Sequence, residues 1–258
     1  MRSESHIRSW VVVGLAVVLA SASSALAGAL PMTAAIVVVD AERNGETGQF
    51  SAIFPANTVI EGQYNWALDE PVQILSTQSG TVLGDLTDLG LTFNADPAVS
   101  LRFAVQAGPY GTNFTITSAV VTFDPISNPQ AYATAAVTVT DENSDTATLT
   151  GKFAGNKAYE ARYNGTGVVP GTTWATLVST PVVTAVGDSA TAEDWRPAAG
   201  WEAINTTINS ISSEFKFHLT PLDSASGTSK FEVVAIPEPA SLCLLALGGV
   251  AALRRRRA

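Results

Sequence analysis

The sequence predicts an all-β fold, a β-sandwich or jelly-roll-like exported domain flanked by an N-terminal signal helix and a C-terminal hydrophobic helix. Three observations predict it. Apolar and polar residues alternate over many short runs, Thr and Val are frequent in those runs, and clusters of Gly, Asn, Asp and Ser divide them. Alternation turns one face of a strand into a core and leaves the other to water. Residues 35–40 and 48–54 form the first pair, joined by Asn44-Gly45, a dipeptide suited to the positive φ values of a tight hairpin. Tyr64, Trp66 and Leu68 alternate next, and strands follow over 72–75, 89–94, 100–105 and 115–123. Runs 137–140 and 147–153 alternate on either side of Asp141-Glu142-Asn143-Ser144-Asp145, which reads as the turn of a second hairpin. Further strands fall at 159–163, 173–178, 182–185, around Phe215, Phe217 and Leu219, and at 231–234. Only 192–208 offers a helix, with Thr191 as its cap, and Pro197 interrupts it.

The two ends read as addresses. Residues 1–27 begin with Arg2 and Arg8, continue through an apolar run over 10–20 and close on Ala25-Leu26-Ala27, the order of a secretory signal peptide whose cleavage leaves Gly28 first. That 11-residue run reaches about 17 Å as a helix, short of a hydrocarbon core of ~30 Å, so cleavage is favoured over anchorage. At the other end, Pro237 and Pro239 flank Glu238. Each proline fixes φ and removes a donor, which makes a stiff exposed hinge. The apolar run after it, 14 residues counted from Ala240, reaches about 21 Å. Arg254, Arg255, Arg256 and Arg257 extend that reach by snorkelling and hold the tail on the cytoplasmic side. The chain between the two ends is then exported.

Pro237-Glu238-Pro239, the apolar segment containing Gly248 and Gly249, and the terminal arginine cluster together resemble the PEP-CTERM sorting signal of Gram-negative bacteria. The resemblance covers 236–258 and implies processing by an exosortase, a membrane cysteine transpeptidase, after signal peptidase has acted. It implies a protein held in the membrane by its C-terminal helix until cleaved near the tripeptide, then passed to the cell surface or extracellular matrix. Ile236 stands where valine is commonest. The stretch 153–234, including Tyr159 to Gly165 and Asp223 to Ser229, is similar to the β-rich region preceding the signal in other such proteins, which implies one continuous C-terminal unit. Cys243 lies inside the apolar run and reads as a small packed hydrophobe, with lipidation as the alternative.

Charge separates the ends from the middle. The whole chain of 258 residues carries a net charge of −9, whereas residues 28–236 keep eight basic and 21 acidic side chains, a net of −13. An acidic domain lacks the basic surface that displaces counterions from nucleic acid. A single cysteine excludes a disulfide scaffold and a Cys-rich zinc module. Residues 28–235 read as one β-sandwich domain, with the Asp- and Pro-containing stretch 124–130 as the division if there are two.

Little in this domain points to catalysis, and no catalytic residue or cofactor is assigned. It has no cysteine and only His218, which removes cysteine nucleophiles, multi-histidine zinc sites and most serine triads. His218 alternates with Phe217 and Leu219 and is expected to face water. Gly187-Asp188-Ser189 has no suitably placed histidine to act as a nucleophile block. A glycan hydrolase would need two carboxylates, with Asp69, Glu70, Glu193 and Asp194 as candidates against a solvated-surface reading. Asp141, Asn143 and Asp145 present oxygen ligands at alternate positions, like the first half of a calcium loop. Thr146 replaces the turning glycine and Lys152 stands where a bidentate glutamate belongs, so a plain acidic turn is expected and a weak Ca²⁺ site is its alternative. Trp195 and Trp201 are the candidate glycan contacts, since aromatic faces stack on sugar rings, and extracellular polysaccharide is the ligand they would take. The competing reading has both rings lidding the open end of a sandwich. Asn113, Asn164 and Asn205 open Asn-x-Ser/Thr triplets and read as turns.

Overall fold

A computed structural model describes residues 30–31, 36–53, 59–60, 63–94, 96–166 and 169–236. The strands in chain order are β1 (Leu30–Pro31), β2 (Ile36–Arg43), β3 (Glu46–Ile53), β4 (Val59–Ile60), β5 (Gln63–Ala67), β6 (Val72–Leu75), β7 (Val82–Asn94), β8 (Ala98–Ala107), β9 (Thr112–Thr117), β10 (Val121–Ser127), β11 (Gln130–Thr140), β12 (Thr148–Gly151), β13 (Lys157–Tyr163), β14 (Thr172–Ser179), β15 (Val182–Val183), β16 (Ser189–Arg196), β17 (Glu202–Ala203), β18 (Thr207–Leu219) and β19 (Ser224–Val234). Strand accounts for 68% of the described residues and helix for none, so the fold is all-β. Both expected terminal helices lie outside the described residues.

Two sheets form the body. The first runs β14-β13-β18-β9-β2-β3, with β10 and β12 also on β18 and β15 on β12. The second runs β16-β11-β19-β8-β7-β5, with β17 on β11 and β6 on β7. The short pair β1 and β4 forms a sheet of its own, with β1 lying beside β10. Each sheet takes strands from both sides of 124–130, because β9 joins β18 in the first and β8 joins β19 in the second.

Period-two patterning explains the packing. In β11, Ala131, Ala133, Ala135, Val137 and Val139 are buried while the residues between them are half-buried on the outer face. Phe215, Phe217 and Leu219 of β18 do the same in the first sheet. The sheets meet through aromatic rings: Phe103 of β8 lies 4.9 Å from Phe215 and 5.6 Å from Phe217 of β18, and within the first sheet Tyr159 lies 5.0 Å from Phe215. Phe103 fits because residue 227, facing it on β19, is glycine. A Cβ there would lie 2.4 Å from the Phe103 ring. Tyr159 is wholly buried; its hydroxyl shares a 2.8 Å hydrogen bond with Ser213 Oγ, and burial pushes its pKa up to about 12.

One side of the sandwich is bridged between its edge strands. The Val178 N–H of β14 donates to Asp194 Oδ2 of β16 at 3.2 Å, and inside them Trp174 of β14 stacks on Phe231 of β19 at 5.5 Å. Such contacts occupy strand edges that would otherwise template pairing with another chain.

Three sequence expectations change. The hairpin at Asn44-Gly45 forms, with both residues at positive φ and Arg43 opposite Glu46. The second hairpin does not, because β11 belongs to the second sheet and β12 to the first, so 141–147 crosses between sheets. Alternation specifies a face but not a partner. The 192–208 helix is replaced by β16, a turn, β17 and the start of β18. Asp194 and Arg196 on one side of β16 and Glu193 and Trp195 on the other show a period of two, and Pro197 would have broken a helix. Finally, 115–123 splits into β9 and β10 at 118–120, where the Ser118 N–H bonds to Ser213 O and the Ser213 N–H bonds to Ser118 Oγ.

Candidate functional site

The two tryptophans proposed from sequence come together on the outer face of the second sheet, at one corner. Trp195 pairs with Thr134 of β11, whose neighbours Ala133 and Ala135 point into the core, so Trp195 faces outward. Trp201 meets Tyr132, the next outward residue of β11, edge-on at 6.1 Å. Trp195 remains 47% exposed and Trp201 40%, so the rings lie on a sheet face rather than lidding an open end of the sandwich. Tyr132 carried no signal in sequence, because its partner is about seventy residues away and is found only through the pairing of β11 with β17.

Arg196 fixes the turn between the two tryptophans. Its guanidinium grips Glu202 with two bonds of 2.9 and 2.5 Å, donates to the Trp174 carbonyl and lies 4.9 Å over the Trp174 ring. A planar fork held on two sides restricts the segment it spans. Gly200, at φ +67°, completes the turn where an L side chain would be strained. On the same outer face a shallow groove of about 360 Å³ is lined by Asn65, Gly90, Thr92, Ser100, Arg102 and Thr228, with Arg102 bonded to Asp88.

The acidic turn lies at the opposite end of β11 and β19. Carboxylate oxygens of Asp141, Asp145 and Asp223 lie within 4.8 Å of one another, and these are the residues that could hold a cation. Asn143 is engaged within the turn, accepting the Asp145 N–H on Oδ1 at 3.3 Å and donating from Nδ2 to Pro221 O at 3.2 Å. Asp141 is already heavily engaged. Its Oδ1 accepts N–H groups of Asn143, Ser144 and Asp145 at 3.2, 2.9 and 3.3 Å, and its Oδ2 accepts those of Gly187 at 2.6 Å and Thr146 at 3.1 Å. Five donors exceed the roughly four lone-pair sites of a carboxylate, so a cation here would compete with the backbone. The Gly187 N–H, first among these donors, holds the Asp141 carboxyl below the usual range. Asp223 is wholly buried and burial pushes its pKa up, against a 2.5 Å bond from Thr220 Oγ1.

The carboxylates weighed for hydrolysis do not converge. Asp69 and Glu70 lie exposed in the bend between β5 and β6. Glu193 and Asp194 point to opposite faces of β16, and Asp194 is bonded to Lys157 at 3.2 Å. A closer set was missed: Glu160 and Glu214 sit directly opposite on β13 and β18, and Arg162 bridges them at 2.6 and 2.8 Å. Burial raises the Glu214 pKa against the pull of Arg162 and Lys216. His218 is half-buried rather than in open water. Its Nδ1 lies 3.2 Å from Asn113 Oδ1, Asn113 in turn donates to Glu42, and burial, then Lys152, lowers the His218 pKa.

Comparison with known proteins adds little beyond the C-terminus. No curated protein matches the chain. The infectious bursal disease virus VP2 subviral particle aligns over 91% of this chain and 76% of its own at 10% identity and a TM-score of 0.14. The infectious bursal disease virus Gx strain structure aligns over 89% and 74%, also at 10% and 0.14. Scores this low carry no argument about fold or function. The C-terminal comparison is of another kind, because it begins at the residue after the last one of β19, Val234. Residues 235–257 of this chain match the family model of the PEP-CTERM protein-sorting motif.

Proposed function

We propose that the chain is a noncatalytic exported protein whose single β-sandwich domain is handed by exosortase to the cell surface or extracellular matrix. The observation that carries this reading is the sorting motif following directly on β19, a central strand of the second sheet. No cofactor belongs to the reading, since Asp141 spends its oxygens on backbone N–H groups. Signal peptidase acts first on Ala25-Leu26-Ala27, and exosortase then acts at Pro237-Glu238-Pro239. Fractionation of cells expressing the full chain tests this: the domain is expected in the envelope or medium, and a wholly cytoplasmic protein would contradict it.

A second reading, carbohydrate binding, is favoured by Trp195, Tyr132 and Trp201 sharing one outer corner beside a hydroxyl-lined groove. Alanine at Trp201 should then weaken retention on matrix polysaccharide, and unchanged retention would remove this reading.

A further inference from the structure

We infer that, while the sorting signal still holds the protein in the membrane, the Trp195–Tyr132–Trp201 corner rests in the lipid headgroup region. This rests on the first functional reading, anchorage by the signal, and goes beyond it by orienting the domain.

Three observations carry the inference. The first is reach. Five residues, 235–239, separate Val234 from the apolar run counted from Ala240, and fully extended they span about 17 Å. The end of β19 therefore stays within one short spacer of the bilayer.

The second is position. Val234 pairs with Gln130, and Tyr132 pairs with Glu232, so the Tyr132–Trp201 contact lies two residues back from the strand end, about 7 Å at the rise of a strand. Trp195 is level with Thr134 and Lys230, about 13 Å back. The acidic turn joins the other end of the same two strands, ten steps or about 34 Å away. The end that leads into the membrane is the aromatic end, and the end pointing away is the acidic one.

The third is chemistry. Trp and Tyr combine an apolar body with a polar tip and concentrate where hydrocarbon meets water. Two carboxylates near the strand end are paired, Glu202 with Arg196 and Glu232 with Lys230, while Glu193, exposed on the face of Trp195, is level with Ala136 and so lies farther from the strand end than the rings. The corner can thus approach anionic headgroups, which the rest of a −13 domain would avoid.

The test uses the full chain, purified from exporting cells that lack the sorting enzyme and reconstituted into vesicles of phosphatidylethanolamine and phosphatidylglycerol. Lipids brominated near the headgroup should quench tryptophan emission, and most of that quenching should be lost in the Trp195→Phe/Trp201→Phe variant. A long Gly-Ser insert between Ile236 and Pro237, which leaves the domain untouched, should lower the quenching as well. A chain that stays with the vesicles while its corner rings are unquenched overturns the contact and leaves anchorage standing. A chain washed off the vesicles overturns both. Ring emission that responds to neutral oligosaccharide and not to brominated lipid assigns the corner to sugar and overturns the contact.

Discussion

The two ends of the sandwich are built by opposite means. At the acidic end, one side chain organises a turn from donors close in sequence: three of the five N–H groups on Asp141 lie within four residues of it. At the aromatic end, Tyr132 meets Trp201 and shares an outer face with Trp195 only because β11, β16 and β17 are brought together by the sheet, and beneath them Trp174 of β14 stacks on Phe231. The difference teaches which features stand alone. The acidic turn should survive local change elsewhere, while the aromatic corner depends on the whole core.

The largest effect should therefore come from the core that both ends share. Phe103→Ala removes the ring that bridges to Phe215 and Phe217, and should cost about 3–5 kcal/mol. Denaturant titration reads this; a loss under about 1 kcal/mol would show that the sheets are not joined there. Next is Gly227→Ala, which forces Phe103 to shift and should cost about 1–3 kcal/mol. Circular dichroism melts should show a lower Tm, and an unchanged Tm would mean that the ring has room.

A pH titration separates the two ends further. The folded pKa of His218 lies below its unfolded value near 6.5, so its contribution to stability is present above pH 6.5 and lost as pH falls through the folded pKa. Asp141, also depressed, adds a loss of the same sign below about pH 4. Glu214 and Asp223, raised by burial, offset part of that second loss because they protonate more readily in the folded state, so Tm should fall on acidification mainly in a first stage, which His218→Gln should flatten, and by less in a second. Hydrogen exchange should show the 143–146 amides opening in the second stage, before those of β11.

The smallest change in stability is expected at the aromatic corner. Arg196 and Glu202 are partly exposed, and Arg196→Ala should cost at most about 1 kcal/mol. It should nevertheless loosen 197–200 and blunt any ligand or lipid response of Trp195 and Trp201. A full response with a mobile turn would show that Arg196 does not position the rings.

How much was legible in sequence follows the same division. Strand faces at Phe215, Phe217 and Leu219 and the Asn44-Gly45 hairpin could be read because their causes are local. The exchange of sheets at 141–147 could not, since period-two alternation is the same whether the next strand pairs beside the last or across the sandwich. Asp141 and Asp145 were legible as a cluster, but their third member, Asp223, is some eighty residues away and joins them only through the pairing of β11 with β19. Trp195 and Trp201 were legible as a pair of rings, while their common face and Tyr132 needed the register of β11.

The most direct measurement is the intact mass of the exported protein from cells that possess the sorting enzyme, for the wild-type chain and for Glu238→Ala. Wild type should begin at Gly28 and end near Pro237-Glu238-Pro239, without the apolar run and its arginines, while Glu238→Ala retains them. Equal masses that both include Arg254 to Arg257 would contradict the account.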